Sequence, residues 1–323
     1  MKRAAGFLVM VVSFIIIIFV SLDQPCMLDI FPDSIIVEGA DNQEPVDQDE
    51  ADSPENEDEP PSINPENPAP NETGSEIQKT GAGASKIHPI LGESNNLSEE
   101  EQKNIKKWRN DIVKFAADNP GLVFINGFTS EKMVCLTFDD GPDDVITPQV
   151  LNILKRNHVK ASFFFVGNKL DQHPDVVQRA YREGHLVLSH SWSHQQLNLM
   201  EHQEIRREIQ LTEDKLYELI GQRPAFIRPP FGQIDKKVTD VIKGKGGKII
   251  LWSIDTSDGS QGEKGSIVKN ATEHIRPGDV ILLHCDGDKT ETVKALPEII
   301  TSLREKGYQF VDLGEMLQIN PYQ

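Results

Sequence analysis

Seven short apolar runs alternate with amphipathic stretches from residue 132 to the end of this 323-residue chain. The runs have the length and the β-branched or aromatic content of buried strands, and the stretches between them have helical spacing. Alternation of this kind predicts parallel strands joined by helices. The predicted strands are 134–138, 161–166, 185–189, 225–228, 248–253, 279–284 and 308–313.

Local signals bound the helices between these strands. Thr147 predicts an N-cap with Pro148 at the first helical position. Pro174 and Gly184 bound the next helix, and Gly221 ends a longer one. The helices that follow the third to sixth strands are predicted over 201–220, 235–243, 265–274 and 291–306. Because no glycine-rich phosphate loop follows the first strand, a doubly wound open sheet is the weaker alternative, and a parallel α/β barrel of seven units is favoured.

The N-terminal segment is apolar and follows two basic residues. Lys2 and Arg3 precede an apolar run that ends near Leu22. The run predicts a signal sequence or a membrane anchor over 1–22. No clear cleavage site follows it, which favours an uncleaved single-pass anchor, with a secreted protein as the alternative. Because basic flanks stay in the cytoplasm, the rest of the chain is expected outside the cell.

Residues 23–95 are rich in Asp, Glu, Pro and Asn, and they account for most of the formal net charge of −18. This composition predicts a disordered, extended linker. Ser98 and Glu101 then have capping-box spacing, which predicts a leading helix within 96–130. The main domain is expected over 131–318. The chain has no basic stripe that could neutralise phosphates, which argues against nucleic acid as a partner.

Polar side chains follow five of the predicted strands at their C-terminal ends. They are Asp139, Asp140, His190, His194, Arg228, Asp255, Asp258 and His284. In an α/β barrel these strand ends share one face, which carries the chemistry. Each residue also has a simpler explanation, as a turn former, a surface residue or a core histidine. Their joint placement favours an active site.

The residue types indicate metal-assisted hydrolysis of an amide or ester. His190 and His194 have a common metal-ligand spacing, and two His with one carboxylate suit a divalent ion that keeps open positions. Of two adjacent carboxylates, one can bind the metal while the other accepts a proton from metal-bound water. Arg228 would keep that base ionised. The histidine of the sixth strand, oriented by Asp255 or Asp258, could protonate a leaving group.

The motifs resemble those of the polysaccharide deacetylase family, carbohydrate esterase family 4. They are TFDDGP, HSWSH, RPPFG, DTSDG and ILLH, in this order, within roughly 130–316. The resemblance implies a distorted (β/α) barrel and a hydrolase that removes acetyl groups from N-acetylated sugars or O-acetylated xylan. It also implies one divalent metal ion, for which zinc is expected, with cobalt or manganese as alternatives.

The resemblance implies roles for five residues of the first three motifs. Asp139 is the expected catalytic base, and Arg228 is expected to orient it. The expected metal ligands are Asp140, His190 and His194.

The remaining implied roles concern the substrate. His284 is the expected general acid, and Asp258 is its expected partner. The backbone N–H of Phe231 is expected to stabilise the oxyanion, and Leu282 to line the pocket for the acetate methyl group.

Three positions depart from the family pattern. The third motif usually ends in Tyr-Gly and here has Phe231, which leaves the backbone donor intact. Gly259 replaces a tryptophan, which is expected to remove an apolar wall and widen the site. Cys285 replaces an aspartate after the last motif histidine, which is expected to loosen the network around that histidine.

The predicted function is deacetylation of a cell-wall polysaccharide, most simply peptidoglycan N-acetylglucosamine, by a monomer that is attached to the membrane. A chitooligosaccharide or exopolysaccharide deacetylase is the alternative within the same class. A catalytically weak sugar-binding relative is the alternative from another class, since fold alone does not prove activity. A non-haem iron oxygenase shares the two-His-one-carboxylate pattern but is disfavoured, because Asp140 lies far upstream of the histidine pair and adjoins a second carboxylate.

Overall fold

Within residues 86–94, 97–260 and 262–323, which this computed structural model describes, nine strands form one sheet. All paired strands run parallel. In chain order they are β1 (Val123–Phe124), β2 (Met133–Asp139), β3 (Ser162–Phe165), β4 (Leu186–Ser189), β5 (Phe226–Ile227), β6 (Lys248–Ile250), β7 (Ile254–Asp255), β8 (Val280–His284) and β9 (Gln309–Phe310). Their order in the sheet is β1-β6-β5-β4-β3-β2-β8-β7, with β9 beside β2.

Helices connect most of these strands. They are α1 (Glu99–Asp118), α2 (Ile146–Arg156), α3 (Pro174–Arg182), α4 (His202–Ile220), α5 (Lys236–Gly244), α6 (Lys264–Thr272), α7 (Thr290–Glu305) and α8 (Leu313–Leu317). The predicted helices are confirmed to within a few residues. The capping box of Ser98 and Glu101 is formed at the start of α1, and Gly221 ends α4 with a φ of 70°.

The N-cap prediction for Thr147 is wrong. Helix α2 begins at Ile146, two residues before the predicted start at Pro148. Asp143 Oδ1 accepts hydrogen bonds from the backbone N–H groups of Ile146 and Thr147. The Thr147 hydroxyl instead donates to the carbonyl oxygen of Cys285 at 2.6 Å. It therefore ties α2 to the end of β8 rather than capping its own helix.

The fold is a parallel α/β half-barrel, and the sheet has nine strands rather than about seven. Strand β1 has only two residues, too few to show a period in the sequence. The run predicted as one strand over 248–253 divides at Leu251. Leu251 N donates to Phe124 O of β1, at one end of the strand order. Ser253 N donates to Val280 O of β8, the second strand from the other end.

Both faces of the sheet are covered, which explains the continuous apolar runs in the sequence. Phe163 and Phe165 pack in one buried cluster, and Phe164, which lies between them, packs in a second cluster on the opposite face. This is the period-two alternation of a strand. Helix α1 packs on the second cluster through Ile112 and Ala116.

The N-terminal described segment, 86–94, also lies against the sheet. Leu91 N donates to Ser253 O, and Asp255 N donates to Leu91 O. The predicted anchor over 1–22 and most of the predicted linker over 23–95 lie outside the described residues. Within the described ranges, no helix is both long and apolar enough to cross a bilayer.

Candidate active site

Strand register brings the predicted site residues to one face. Asp139 at the end of β2 is paired in register with His284 at the end of β8. Ser189 of β4 is likewise paired with Ile227 of β5, so His190 and Arg228 follow at adjacent positions. The structure thus gathers the residues of four motifs where these strands end.

A buried ion pair lies at the centre of the site. Arg228 Nη1 donates to Asp139 Oδ1 at 2.6 Å and to Thr137 Oγ1 at 2.9 Å. The other guanidinium nitrogens donate to the carbonyl oxygens of Ile250 and Leu251. Burial lowers the pKa of Arg228, while the Asp139 carboxylate opposes this shift. These four hydrogen bonds hold the guanidinium in one orientation, with one carboxylate oxygen of Asp139 engaged.

Beside this pair, three side chains offer ligand atoms to one point. Atoms of Asp140, His190 and His194 all lie within 4.8 Å of one another. Asp140 Oδ1 is 3.0 Å from His194 Nε2 and 3.4 Å from His190 Nε2, and this buried oxygen accepts no hydrogen bond within the described part of the chain. Two imidazoles and one carboxylate are a donor set that suits a divalent ion.

The backbone just after β5 also sets the orientation of His190. Its Nδ1 lies 2.7 Å from the carbonyl oxygen of Arg228. Because a carbonyl only accepts, Nδ1 carries the proton and Nε2 presents a lone pair to the cluster. Arg228 thus holds the carboxylate through its side chain and the imidazole through its backbone.

The backbone of the site is strained. Among the described residues other than glycine, seven have positive φ angles, and five of these lie in the motif loops: Asp140, Ser191, His194, Phe231 and Ser257. This conformation is unfavourable for side chains with a Cβ and tends to persist at functional sites. The motif loops therefore retain a strained backbone conformation that orients these side chains.

A second carboxylate–imidazole pair faces the cluster. His284 Nδ1 lies 2.8 Å from Asp258 Oδ1, and its Nε2 lies 4.0 Å from Asp140 Oδ2. Burial alone would lower the pKa of His284, but the Asp258 carboxylate and the other nearby carboxylates raise it to about 10. The Asp258 pKa is lowered despite burial, since His284 and Thr292 donate to it. The surrounding carboxylates therefore favour the protonated form of this imidazole.

Several known proteins are similar in sequence to this chain. Residues 126–250 match the family model of polysaccharide deacetylase. The peptidoglycan-N-acetylglucosamine deacetylase PgdA of Listeria monocytogenes is 40% identical over 194 residues, which are 59% of this chain and 41% of that protein. A peptidoglycan-N-acetylglucosamine deacetylase of Bacillus cereus is 40% identical over 195 residues, which are 60% of this chain and 71% of that protein.

The chain belongs to the polysaccharide deacetylase family. A solved peptidoglycan N-acetylglucosamine deacetylase in complex with 4-naphthalen-1-yl-N-oxidanyl-benzamide has a TM-score of 0.63 and 36% identity to it, over 65% of this chain and 99% of that one. The chain spans less than half the length of the Listeria relative, so the similarity concerns the domain that both share.

Two of the departures from the family pattern have clear structural consequences. Gly259 lies against the ring of His284, and a Cβ at this position would be 2.9 Å from His284 Cε1. Cys285 is buried, and its N–H and its thiol are both directed at the carbonyl oxygen of Asp139. Asp258 contacts the Nδ1 atom of His284 at 2.8 Å, and the loosening expected from Cys285 stays a prediction.

The two candidate partners of His284 are distinguished by the structure. Asp258 contacts the imidazole, whereas Asp255 pairs with Arg109 of α1, whose Nη2 lies 3.0 Å from Asp255 Oδ2. Phe231 exposes about half of its side chain and places its ring 4.8 Å from that of His194. Leu282 lines the same cleft as His284.

Several residues that support the site were not predicted from the sequence. Glu208 of α4 accepts hydrogen bonds from the N–H groups of Trp192 and Ser193 and from the Ser193 hydroxyl, and so holds the loop between the two motif histidines. Lys169 donates to the carbonyl oxygen of Asp140 at 2.8 Å. Both are common surface residue types outside the motifs, so only the folded arrangement reveals them.

Proposed function

We propose that this protein is a metal-dependent deacetylase that hydrolyses the acetamido groups of a cell-wall polysaccharide, with peptidoglycan N-acetylglucosamine as the substrate. The observation that carries the proposal is the placement of Asp139 and His284 around the Asp140–His190–His194 cluster, with Arg228 and Asp258 behind them. The substrate class is supported by the relatives from Listeria monocytogenes and Bacillus cereus.

The metal-binding residues proposed here are Asp140, His190 and His194. A divalent ion bound by them, for which we propose zinc, would supply a Lewis acid that polarises the acetyl carbonyl and acidifies water. The lone pair of His190 Nε2 is available because its Nδ1 is engaged by Arg228 O. The three residues fit such an ion in number, type and proximity.

Asp139 is proposed as the general base. Its Oδ1 accepts from Arg228, which leaves Oδ2, 3.7 Å from His190 Nε2, to accept the proton of the attacking water. The hydrogen bond from Arg228 fixes the direction of this carboxylate. Arg228 therefore orients the base.

His284 is proposed as the general acid, because Asp258 raises its pKa and its Nε2 faces the cluster. It would donate a proton to the departing amine while Asp258 holds Nδ1. The N–H of Phe231 is proposed to bind the developing oxyanion, and Leu282 to contact the acetyl methyl group. The C–N bond breaks, and acetate and a free amine leave.

The proposal also covers the location of the protein. We propose an extracellular catalytic domain held at the cell membrane by residues 1–22, with residues 23 to about 85 as the spacer. A membrane-attached monomer with this spacer would reach the wall of its own cell. The alternative of secretion leaves the chemistry unchanged.

Acetate release tests the proposed function. The zinc-loaded protein is incubated with intact peptidoglycan and, in parallel, with an N-acetylglucosamine oligomer, and the Asp139→Asn protein serves as the blank. Release above the blank on peptidoglycan supports the proposal, and release only on the oligomer points to a chitin-like substrate. No release on either would indicate a sugar-binding relative.

A further inference from the structure

The loop that carries Asp258 lies against a short segment from the N-terminal side of the domain. Residues 91–93 precede the region that matches the family model. Leu91 N donates to Ser253 O at 2.9 Å, and Asp255 N donates to Leu91 O at 2.7 Å. The 91–93 segment therefore pairs with the backbone at the start of this loop, although the two are distant in the sequence.

Gly92 makes the closest approach in this contact. Its φ of 145° favours glycine, and a Cβ on this residue would overlap the carbonyl oxygen of Asp255. The carbonyl oxygen of Gly92 accepts from Arg109 Nη1 of α1 at 2.6 Å. Arg109 Nη2 donates to Asp255 Oδ2 at 3.0 Å, so one guanidinium joins the 91–93 segment to the loop. All three residues line the same cleft as His284.

Asn270 of α6 makes a second connection between the 91–93 segment and the loop. Its side chain exchanges two hydrogen bonds with the backbone of Glu93, donating to Glu93 O at 2.7 Å and accepting from Glu93 N at 3.1 Å. The same amide nitrogen donates to Thr256 O at 3.0 Å. The segment is thus fixed to both Asp255 and Thr256, the first two residues of the 255–258 loop.

Hydrogen bonds within the loop connect these residues to Asp258. Asp255 Oδ1 accepts from Ser257 N at 2.9 Å, and Ser257 has a positive φ of 61°. The Thr256 hydroxyl donates to Asp258 Oδ1 at 3.0 Å. Asp258 contacts the Nδ1 atom of His284 and accepts from its backbone N–H, each at 2.8 Å. Because a positive φ is unfavourable for serine, the loop needs restraints from its surroundings to keep this conformation.

We propose that Gly92 and Arg109 are positioning residues for the reaction, which hold the 255–258 loop so that Asp258 orients His284 toward the departing amine. The inference rests on the proposed function. None of these contacts involves the proposed base or the metal ligands. Loss of either positioning residue should therefore slow proton donation to the leaving group and spare the steps that do not need it.

Two substrates with different leaving groups test this assignment on the full zinc-loaded chain. The amine released from an N-acetylglucosamine oligomer must be protonated, whereas 4-nitrophenyl acetate releases its phenolate as an anion. Gly92→Ala and Arg109→Met are each expected to lower kcat for the oligomer about tenfold with little change in KM, and to change kcat for the ester by less than about twofold. Arg109→Lys, which keeps a donor for Asp255, is expected to lose less than Arg109→Met.

Gly246→Ala and Lys114→Met are the matched controls. Gly246 also has a positive φ, of 76°, but a Cβ there meets nothing within 4 Å, and Lys114 is an exposed basic residue of α1. Both variants are expected to keep kcat on the two substrates. The proposal is overturned if Gly92→Ala and Arg109→Met lower kcat for both substrates by the same factor, or for neither.

A spectroscopic measurement separates this inference from the proposed function. The Cε1–H resonance of His284 is identified in histidine-labelled protein by its absence from His284→Gln. It is expected to shift in Gly92→Ala and Arg109→Met, while the resonance of His185, which precedes β4, stays in place. Such a shift supports the positioning role even if the wild-type protein releases no acetate from any glycan, in which case only the proposed function fails. An unchanged His284 resonance in both variants overturns the inference and leaves the deacetylase proposal untouched.

Discussion

Arg228 and Asp139 form a buried ion pair, with 2.6 Å between Nη1 and Oδ1, at the point where β2 and β5 end. The guanidinium also lies 4.1 Å from the centroid of the Phe164 ring. Because both side chains are buried, water cannot replace either partner, and each charge is stabilised by the other. The pair is both part of the proposed chemistry and part of the core.

Arg228→Met is expected to lower the free energy of unfolding by about 3–5 kcal/mol, because it leaves the Asp139 carboxylate buried and unpaired. Urea denaturation followed by circular dichroism measures the loss. Arg206→Met, at an exposed position of α4, is the control and is expected to change stability by less than about 0.5 kcal/mol. Similar unfolding curves for the two variants would contradict the coupling.

Asp139→Asn is expected to reduce acetate release by a factor of about 10² to 10⁴ while metal binding is kept. The amide oxygen can still accept from Arg228, but the side chain no longer accepts a proton from water. Elemental analysis of the dialysed protein measures bound metal, and His194→Ala serves as the comparison that loses it. Wild-type activity in Asp139→Asn would remove this residue from its proposed role.

Glu208→Gln is expected to weaken metal affinity about 10- to 100-fold. The carboxylate receives three hydrogen bonds from Trp192 and Ser193, and an amide can accept only part of them. The loop that positions His194 would then be less restrained. Competition with a chromogenic chelator measures the affinity. Glu218→Gln, on the exposed face of the same helix, is the control, and equal affinities in the two variants would exclude this effect.

Gly259→Ala is expected to lower kcat about tenfold with little change in metal content. The new Cβ would lie 2.9 Å from Cε1 of His284, whose ring Asp258 prevents from moving away. Steady-state kinetics on an N-acetylglucosamine oligomer measure the effect. Gly265→Ala is the matched control, since a Cβ there meets nothing within 4 Å. A variant at position 259 that keeps full kcat would show that the His284 ring has room to move.

His185 is expected to make stability depend on pH outside the active site. Burial and then the nearby Lys160 lower its pKa to about 4, and its Nδ1 accepts from Ala161 N. The unfolded chain binds this proton near pH 6.5, so the stabilisation is complete above pH 6.5 and is lost as the pH falls toward 4. The loss amounts to about 3 kcal/mol. His185→Gln should flatten the urea midpoint between pH 6.5 and 4, whereas the exposed His202→Gln should retain the slope.

Local interactions made much of this protein predictable from its sequence. The helix α1 begins at a capping box whose two residues are three apart, and α4 ends at Gly221 because glycine adopts positive φ without cost. Continuous apolar runs indicated strands buried on both faces. The residues of the metal cluster stand in motifs of contiguous sequence, so their types and spacing were visible before any fold.

Contacts between distant segments of the chain could be identified only from the tertiary structure. Residue types and spacing left Asp255 and Asp258 both open as partners of His284, and only the motif resemblance favoured Asp258. The structure shows the contact with Asp258, while Arg109 of α1 pairs with Asp255. Glu208 acts on a loop about fifteen residues earlier only because α4 packs beneath it. The sequence alone determined the helices, the longer strands and the chemical groups, because these depend on neighbours in the chain. Only the packing of α1 against the sheet decided the shape of the cleft, because that contact joins residues more than a hundred positions apart.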